Sequence, residues 1–137
     1  DDLLEASDIV TVHVPVTDST RGLIGTAEFD RMKDNAVFIN NARAAIVDSD
    51  ALLEALQSGG LGGAALDVYE QEPIPDDHPL LELDTVVTTP HLGGATAEVI
   101  SRHSAMIRDD LQALFDGEEP QHVANEEVLA TFSPPNR

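Results

Sequence analysis

The 137-residue sequence has no cysteine, no tryptophan, one lysine, and only seven Lys plus Arg against 26 Asp plus Glu. Each shortage removes a class of function. Without Cys there can be no disulfide framework, no thiolate zinc site and no cysteine nucleophile. The seven cations, Arg21, Arg31, Lys33, Arg43, Arg102, Arg108 and Arg137, are scattered, whereas nucleic acids and anionic membranes both demand clustered positive charge. No apolar run approaches the roughly 18 residues of a membrane span, and the opening Asp-Asp-Leu-Leu-Glu is acidic where a secretory leader is basic. The expectation is a cytoplasmic protein with neither a nucleic-acid nor a membrane partner. The net charge of −19 runs along the whole chain rather than sitting in one tail. That is the pattern of a halophilic surface, whose self-repulsion salt relieves; the plainer alternative is an acidic, soluble surface.

What is present is hydrophobic content of 42%, enough for a core, in strand-length runs that alternate with helical signals. Ile9 to Val14, Ala36 to Asn40, Ala64 to Asp67 and Thr85 to Thr89 read as strands, the first β-branched and suited to cover on both faces. Thr26 is positioned to cap a short helix carrying Phe29 and Met32. Asp48, Ser49 or Asp50 opens another, with Leu52, Leu53 and Leu56 inward and Gly59 or Gly60 at its end. A longer helix from Thr96 has Val99, Ile100, Ile107, Leu111, Leu114 and Phe115 on one face, and Gly117 stops it. Asp1 to Ser7 reads as the end of a helix. The first three strand starts fall 27 and 28 residues apart, which fits strand, crossover helix and parallel strand. The fold class is therefore α/β, a doubly wound parallel sheet or part of one. Glu70 to His78, with two Pro and four acids, reads as a functional loop. The final Ser-Pro-Pro-Asn-Arg is expected to be loosely held.

A dinucleotide domain starts with a strand, a Gly-rich turn and a helix. The only formal match to that turn, Gly60-Leu61-Gly62-Gly63-Ala64-Ala65, follows a helix and enters a strand, the reverse of the required order. Together with the helix end at the start of the chain, this points to a first half lying upstream of residue 1.

Ligands of open parallel sheets bind beyond the carboxyl ends of the strands. Those ends carry His13-Val14-Pro15, Asn40-Asn41-Ala42-Arg43, Asp67 with Glu70 and Glu72-Pro73, and Pro90-His91-Leu92-Gly93-Gly94. Arg offers a planar fork to a carboxylate, His a proton near neutral pH, and a carboxylate orients the His. Each also has a bland reading. Arg43 suits a structural role, Glu72 a solvated loop charge, His91 packing before a helix, and Gly93-Gly94 a tight turn. His13, His78, His103 and His122 lack metal-ligand spacing, so no metal is expected.

Four stretches in order, SDIVTVHVPVTDSTRGLI at 7–24, FINNARAAIVDSDALLEAL at 38–56, GGAALDVYEQEP at 62–73 and HPLLELDTVVTTPHLGGAT at 78–96, resemble one family. From about Leu4 to Asn125 the chain is similar to the second half of the NAD-binding domain of D-isomer-specific 2-hydroxyacid dehydrogenases, close to D-3-phosphoglycerate dehydrogenase. The resemblance implies an incomplete Rossmann-like domain over 1–125 and a tail at 126–137, without the phosphate-binding half or the substrate domain. It implies catalytic roles for Arg43 (substrate carboxylate), His91 (acid/base) and Glu72 (its partner). It implies cofactor contacts from Val14, Pro15, Asn41, Ala42, Arg43, Asp67, His91, Gly93 and Gly94. The implied cofactor is NAD, with NADP also open, the substrate a small 2-keto or 2-hydroxy acid, and the assembly a homodimer. A chain beginning at Asp1 is expected to hold the cofactor weakly by itself. The family pattern has Gly after the arginine, where this sequence has Ala44; a left-handed backbone there would cost Ala about 1 kcal/mol. The alternative is a non-catalytic remnant or a dehydrogenase-like interaction module.

Overall fold

A computed structural model describes residues 2–133. Asp1 and the Pro-Pro-Asn-Arg ending lie outside the described residues, and so does most of the tail expected to be loosely held. The chain forms two compact units, one up to Gly93 and one from Gly94 onward.

The first unit runs α1 (Asp2–Ala6), β1 (Ile9–Val12), α2 (Thr26–Phe29), β2 (Val37–Asn40), α3 (Ser49–Gln57), β3 (Gly63–Leu66) and β4 (Val86–Thr88). The strands form one parallel sheet in the order β1-β2-β3-β4. Parallel neighbours require crossovers, and the two helices here lie in the first two of them. Register aligns Val10 with Phe38, Ala64 and Val86, and Val12 with Asn40, Leu66 and Thr88. These rows face the core with Phe29, Met32, Ala51, Leu52 and Leu56. Phe29 meets Phe38 edge-on with ring centroids 5.2 Å apart. The alternate row, Thr11, Ile39, Ala65 and Val87, points to the other face, where Ile9 and Val87 are 61% and 64% exposed.

The strands are shorter than their apolar runs. β1 stops at Val12, level with the Asn40 that ends its neighbour β2. In α2 the cap position is Gly25 rather than Thr26, and the Glu28 carboxylate accepts the Gly25 N–H at 3.0 Å. Met32 lies past the end of that helix, yet is buried. Asp48 caps α3 by accepting from the amides of Asp50 and Ala51, both at 3.1 Å. The glycines ahead of β3 serve close backbone approach: a Cβ on Gly62 would come within 2.5 Å of the Asn35 carbonyl oxygen, and one on Gly63 within 2.6 Å of that of Thr85.

The second unit holds α4 (Ala97–Asp116), capped by Thr96 accepting from the Val99 amide at 3.2 Å and ended by Gly117 at φ 79°. The Asp110 carboxylate accepts from the Gln121 amide and from His122 Nδ1, at 2.8 and 3.0 Å, and so ties the following segment to the helix. Burial raises the Asp110 pKa, but the hydrogen bonds from Gln121 and His122 outweigh it and hold the group below its usual 3.8.

Candidate active site

β2 ends in a buried polar residue. Asn40 is only 2% exposed, and its side chain folds the following loop: Oδ1 accepts from the Ala42 amide and Nδ2 donates to the Arg43 carbonyl, both at 3.1 Å. Asn41, Ala42 and Arg43 are thus held at the carboxyl edge of the sheet. Arg43 is exposed, and its Nη1 donates to the Ala42 carbonyl at 2.6 Å. It shares a cleft of about 660 Å³ with His13, Val14, Pro15, Asn41 and Ala42. Ala44 opens a 3-10 turn, Ala44–Ile46, that drives the fully buried Ile46 into the core. Among the described residues, the non-glycine residues at positive φ are Asn35 and His91, so Ala44 carries none of the anticipated left-handed strain.

Beyond β3 the chain supplies acids. Asp67 is 7% exposed and accepts from the amides of Leu92 and Gly93, each at 2.7 Å, and from the Thr89 hydroxyl. Burial raises its pKa, but these three hydrogen bonds and the His91 charge outweigh that and leave it below 3.8. Glu72 precedes a cis peptide to Pro73. Its Oε1 accepts from the Tyr69 amide at 3.1 Å, and its Oε2 meets His91 Nδ1 at 2.8 Å. The His91 hydrogen bond, then that of Tyr69, holds Glu72 below its ordinary 4.5.

His91 follows β4 with φ at 55°, in the left-handed region that a residue other than Gly adopts at a cost of about 1–3 kcal/mol. Its amide donates to the Thr89 carbonyl at 3.0 Å. With Glu72, Tyr69, Pro73 and Ile74 it lines a pocket of about 310 Å³. Tyr69 also borders a cleft of about 780 Å³ lined by Arg43 and Arg21, so it lines both the arginines' cleft and the pocket of the His–Glu pair. Its hydroxyl lies 2.7 Å from the Leu66 carbonyl and 3.0 Å from that of Thr89. Burial raises the phenol pKa above 10.0; the Thr89 and Thr88 hydrogen bonds offset this in part, and the Asp67 and Glu72 charges add to it, so the hydroxyl stays a donor.

A fourth cavity, a groove of about 340 Å³, crosses the strand ends, lined by Ile39, Asn41, Ala65, Asp67, Val87, Thr89, Leu92 and Gly93. An apolar floor with a few polar groups at the rim is the general make-up of a small-molecule site. Gly93 contributes a wall without a side chain, and Gly94 opens the second unit.

The structure therefore pairs Glu72 with His91 directly, hangs Asp67 on the same turn, and leaves Arg43 in adjoining clefts rather than in contact with the pair. Tyr69 and Thr89 escape a reading of the sequence for site residues, and Asn40 stands out there only by its place at a strand end, without a role. A buried polar residue closing an apolar strand was the available signal for Asn40; Tyr69 and Thr89 carry none. Among the described residues no three His, Asp or Glu side chains are grouped to hold a metal, and no helix is long and apolar enough to cross a membrane.

Residues 1–93 match the family model described as D-isomer specific 2-hydroxyacid dehydrogenase, NAD binding domain. The chain belongs to that family. It is 47% identical over 129 residues to a glyoxylate reductase of Thermofilum pendens, covering 94% of this chain and 38% of that protein. It is 46% identical over 125 residues to a D-3-phosphoglycerate dehydrogenase of Archaeoglobus fulgidus, covering 91% and 24%. Its fold superposes on D-lactate dehydrogenase with NAD+ from Lactobacillus jensenii with a TM-score of 0.83 at 32% identity, covering 90% of this chain and 41% of that one. The chain thus spans well under half the length of these relatives. The matched region is that family's NAD binding domain, and it is built on a Rossmann-like parallel sheet.

Proposed function

We propose that this chain carries the acid/base pair and the carboxylate clamp of an NAD(P)-dependent D-2-hydroxyacid dehydrogenase acting on a small 2-keto or 2-hydroxy acid. The observation that carries the reading is the 2.8 Å contact between His91 Nδ1 and Glu72 Oε2 at the rim of an open pocket. With Nδ1–H donated to Glu72, Nε2 is the nitrogen left to hold a proton and deliver it to the oxygen of a 2-keto acid, or to take it from a 2-hydroxy acid. Glu72 fixes the ring orientation and stabilises the imidazolium, as carboxylate partners of catalytic His do. Arg43, always charged, offers a bidentate fork to the substrate carboxylate from the adjoining cleft.

The groove lined by Ile39, Asn41, Val87 and Gly93 would hold the nicotinamide end of the cofactor, and Val14, Pro15 and Ala42 its neighbouring part. When bound, that cofactor supplies hydride chemistry. The glyoxylate reductases and phosphoglycerate dehydrogenase among the relatives support a small 2-keto acid as substrate, without selecting one.

The test is His91→Ala in the full natural polypeptide. Loss of general acid catalysis lowers kcat by about 10²–10⁴, with NADH binding, followed by fluorescence, retained. Undiminished turnover would refute the assignment.

A further inference from the structure

We infer that Asp67 is the positioning residue of His91: its carboxylate holds the turn on both sides of the histidine and thereby sets the ring against Glu72. The inference rests on the reading of His91 as the acid/base.

Three donors converge on this one side chain. Oδ1 takes the Thr89 hydroxyl, two residues before His91, and the Leu92 amide, one residue after it; Oδ2 takes the Gly93 amide. Between these anchors His91 adopts its left-handed backbone, a conformation that persists only where the surroundings over-determine it. The surroundings in question are these. The Thr89 amide is tied to the Leu66 carbonyl at 2.9 Å, and the Thr89 carbonyl accepts from the His91 amide and lies within reach of the Tyr69 hydroxyl. The two amides after His91 have the Asp67 carboxylate as their partner.

A carboxylate is required by arithmetic of donors and acceptors. Ionised Asp accepts at both oxygens, whereas Asn would turn an NH₂ toward one of the donors. Gly93 meets the same carboxylate from the other side: a Cβ there would sit 3.0 Å from Asp67 Oδ2, so a larger residue makes the carboxylate give by a few tenths of an ångström. Its depressed pKa keeps the acid ionised, as the arrangement needs. Glu72 orients the ring by its Nδ1; Asp67 orients the backbone from which the ring hangs.

The experiment compares Asp67→Asn, Thr89→Val and Gly93→Ala in the full natural polypeptide. Long-range ¹H–¹⁵N spectra of His91 report its tautomer, its Nδ1–H proton and its titration midpoint without substrate, and steady-state kinetics are measured alongside. We expect Asp67→Asn to abolish the hydrogen-bonded Nδ1–H signal and to lower kcat by about 10²-fold, the scale of a misplaced catalytic group, with KM for the keto acid nearly unchanged. Gly93→Ala and Thr89→Val, each disturbing one of the three bonds, should shift the same signals partway. If Asp67→Asn does not fold, these two variants decide. Folded variants with wild-type His91 spectra would overturn the positioning role, whatever turnover does. Altered spectra with undiminished turnover would leave the positioning role standing and count against His91 as the acid/base.

Discussion

Glu72 receives its two donors on separate oxygens, one from the backbone of its own loop and one from a ring 19 residues further along. Because its folded pKa is depressed, the interaction contributes stability above the unfolded value near 4.5 and loses it as pH falls through the folded pKa. A carboxyl-carbon NMR titration should therefore give Glu72 a midpoint below 4.5; a midpoint at or above 4.5 would contradict the pairing. Asn40 supports the arginine loop in a comparable way. Replacing it by Ala removes both bonds to the part-buried Ala42 amide and Arg43 carbonyl, at about 0.5–1.5 kcal/mol for each. Urea denaturation measures that loss. At this scale the sequence is only partly legible. Arg43, Glu72 and His91 stand out by residue type and by family motif. The Asp67 network joins residues 22 to 26 positions apart, and nothing local in the chain announces it.

Elements are easier to read than the bonds between them, because periodicity and capping are local. The strand-length apolar runs, the first three starting at near-equal spacing, reveal a parallel sheet, and Asp48 shows how little is needed to start a helix. Its single side chain satisfies two of the free amides of α3, so Asp48→Ala should lower stability by about 0.5–2 kcal/mol in chemical denaturation. Strand ends are harder. β2 is closed by the Asn40 side chain turning back on its own loop, and β1 ends short of Pro15. The closing of β2 is decided by polar chemistry that a hydrophobic count does not weigh. The Gly-rich run before β3 looks like a phosphate turn to a pattern match, yet its glycines are used where strands pass closely. Gly62→Ala puts a carbon 2.5 Å from the Asn35 carbonyl oxygen, so either Asn35 or the entry to β3 must move. A fall of at least about 1 kcal/mol is expected, again by denaturation, and an unchanged midpoint would show that this junction yields freely.

Over the whole molecule, charge is the dominant quantity. With 26 acids and seven Lys plus Arg, most surface carboxylates find no cation, and ion pairs such as Lys33 with Asp8 are exposed and worth little. Raising KCl from about 0.1 M to about 1 M shortens the screening length from roughly 10 Å to 3 Å. On the halophilic reading the thermal midpoint climbs steeply over that range; a flat response favours a merely acidic surface.

The anion at the centre of the site is insulated from such changes. Asp67 is stabilised by N–H and O–H dipoles within hydrogen-bond contact, not by a mobile ion or a distant lysine, and dissolved salt cannot come between partners 2.7 Å apart. Solvent composition thus acts on the exterior while the geometry of the His91 turn stays indifferent to it. Evolution can retune the surface for a new ionic environment without reopening the chemistry inside.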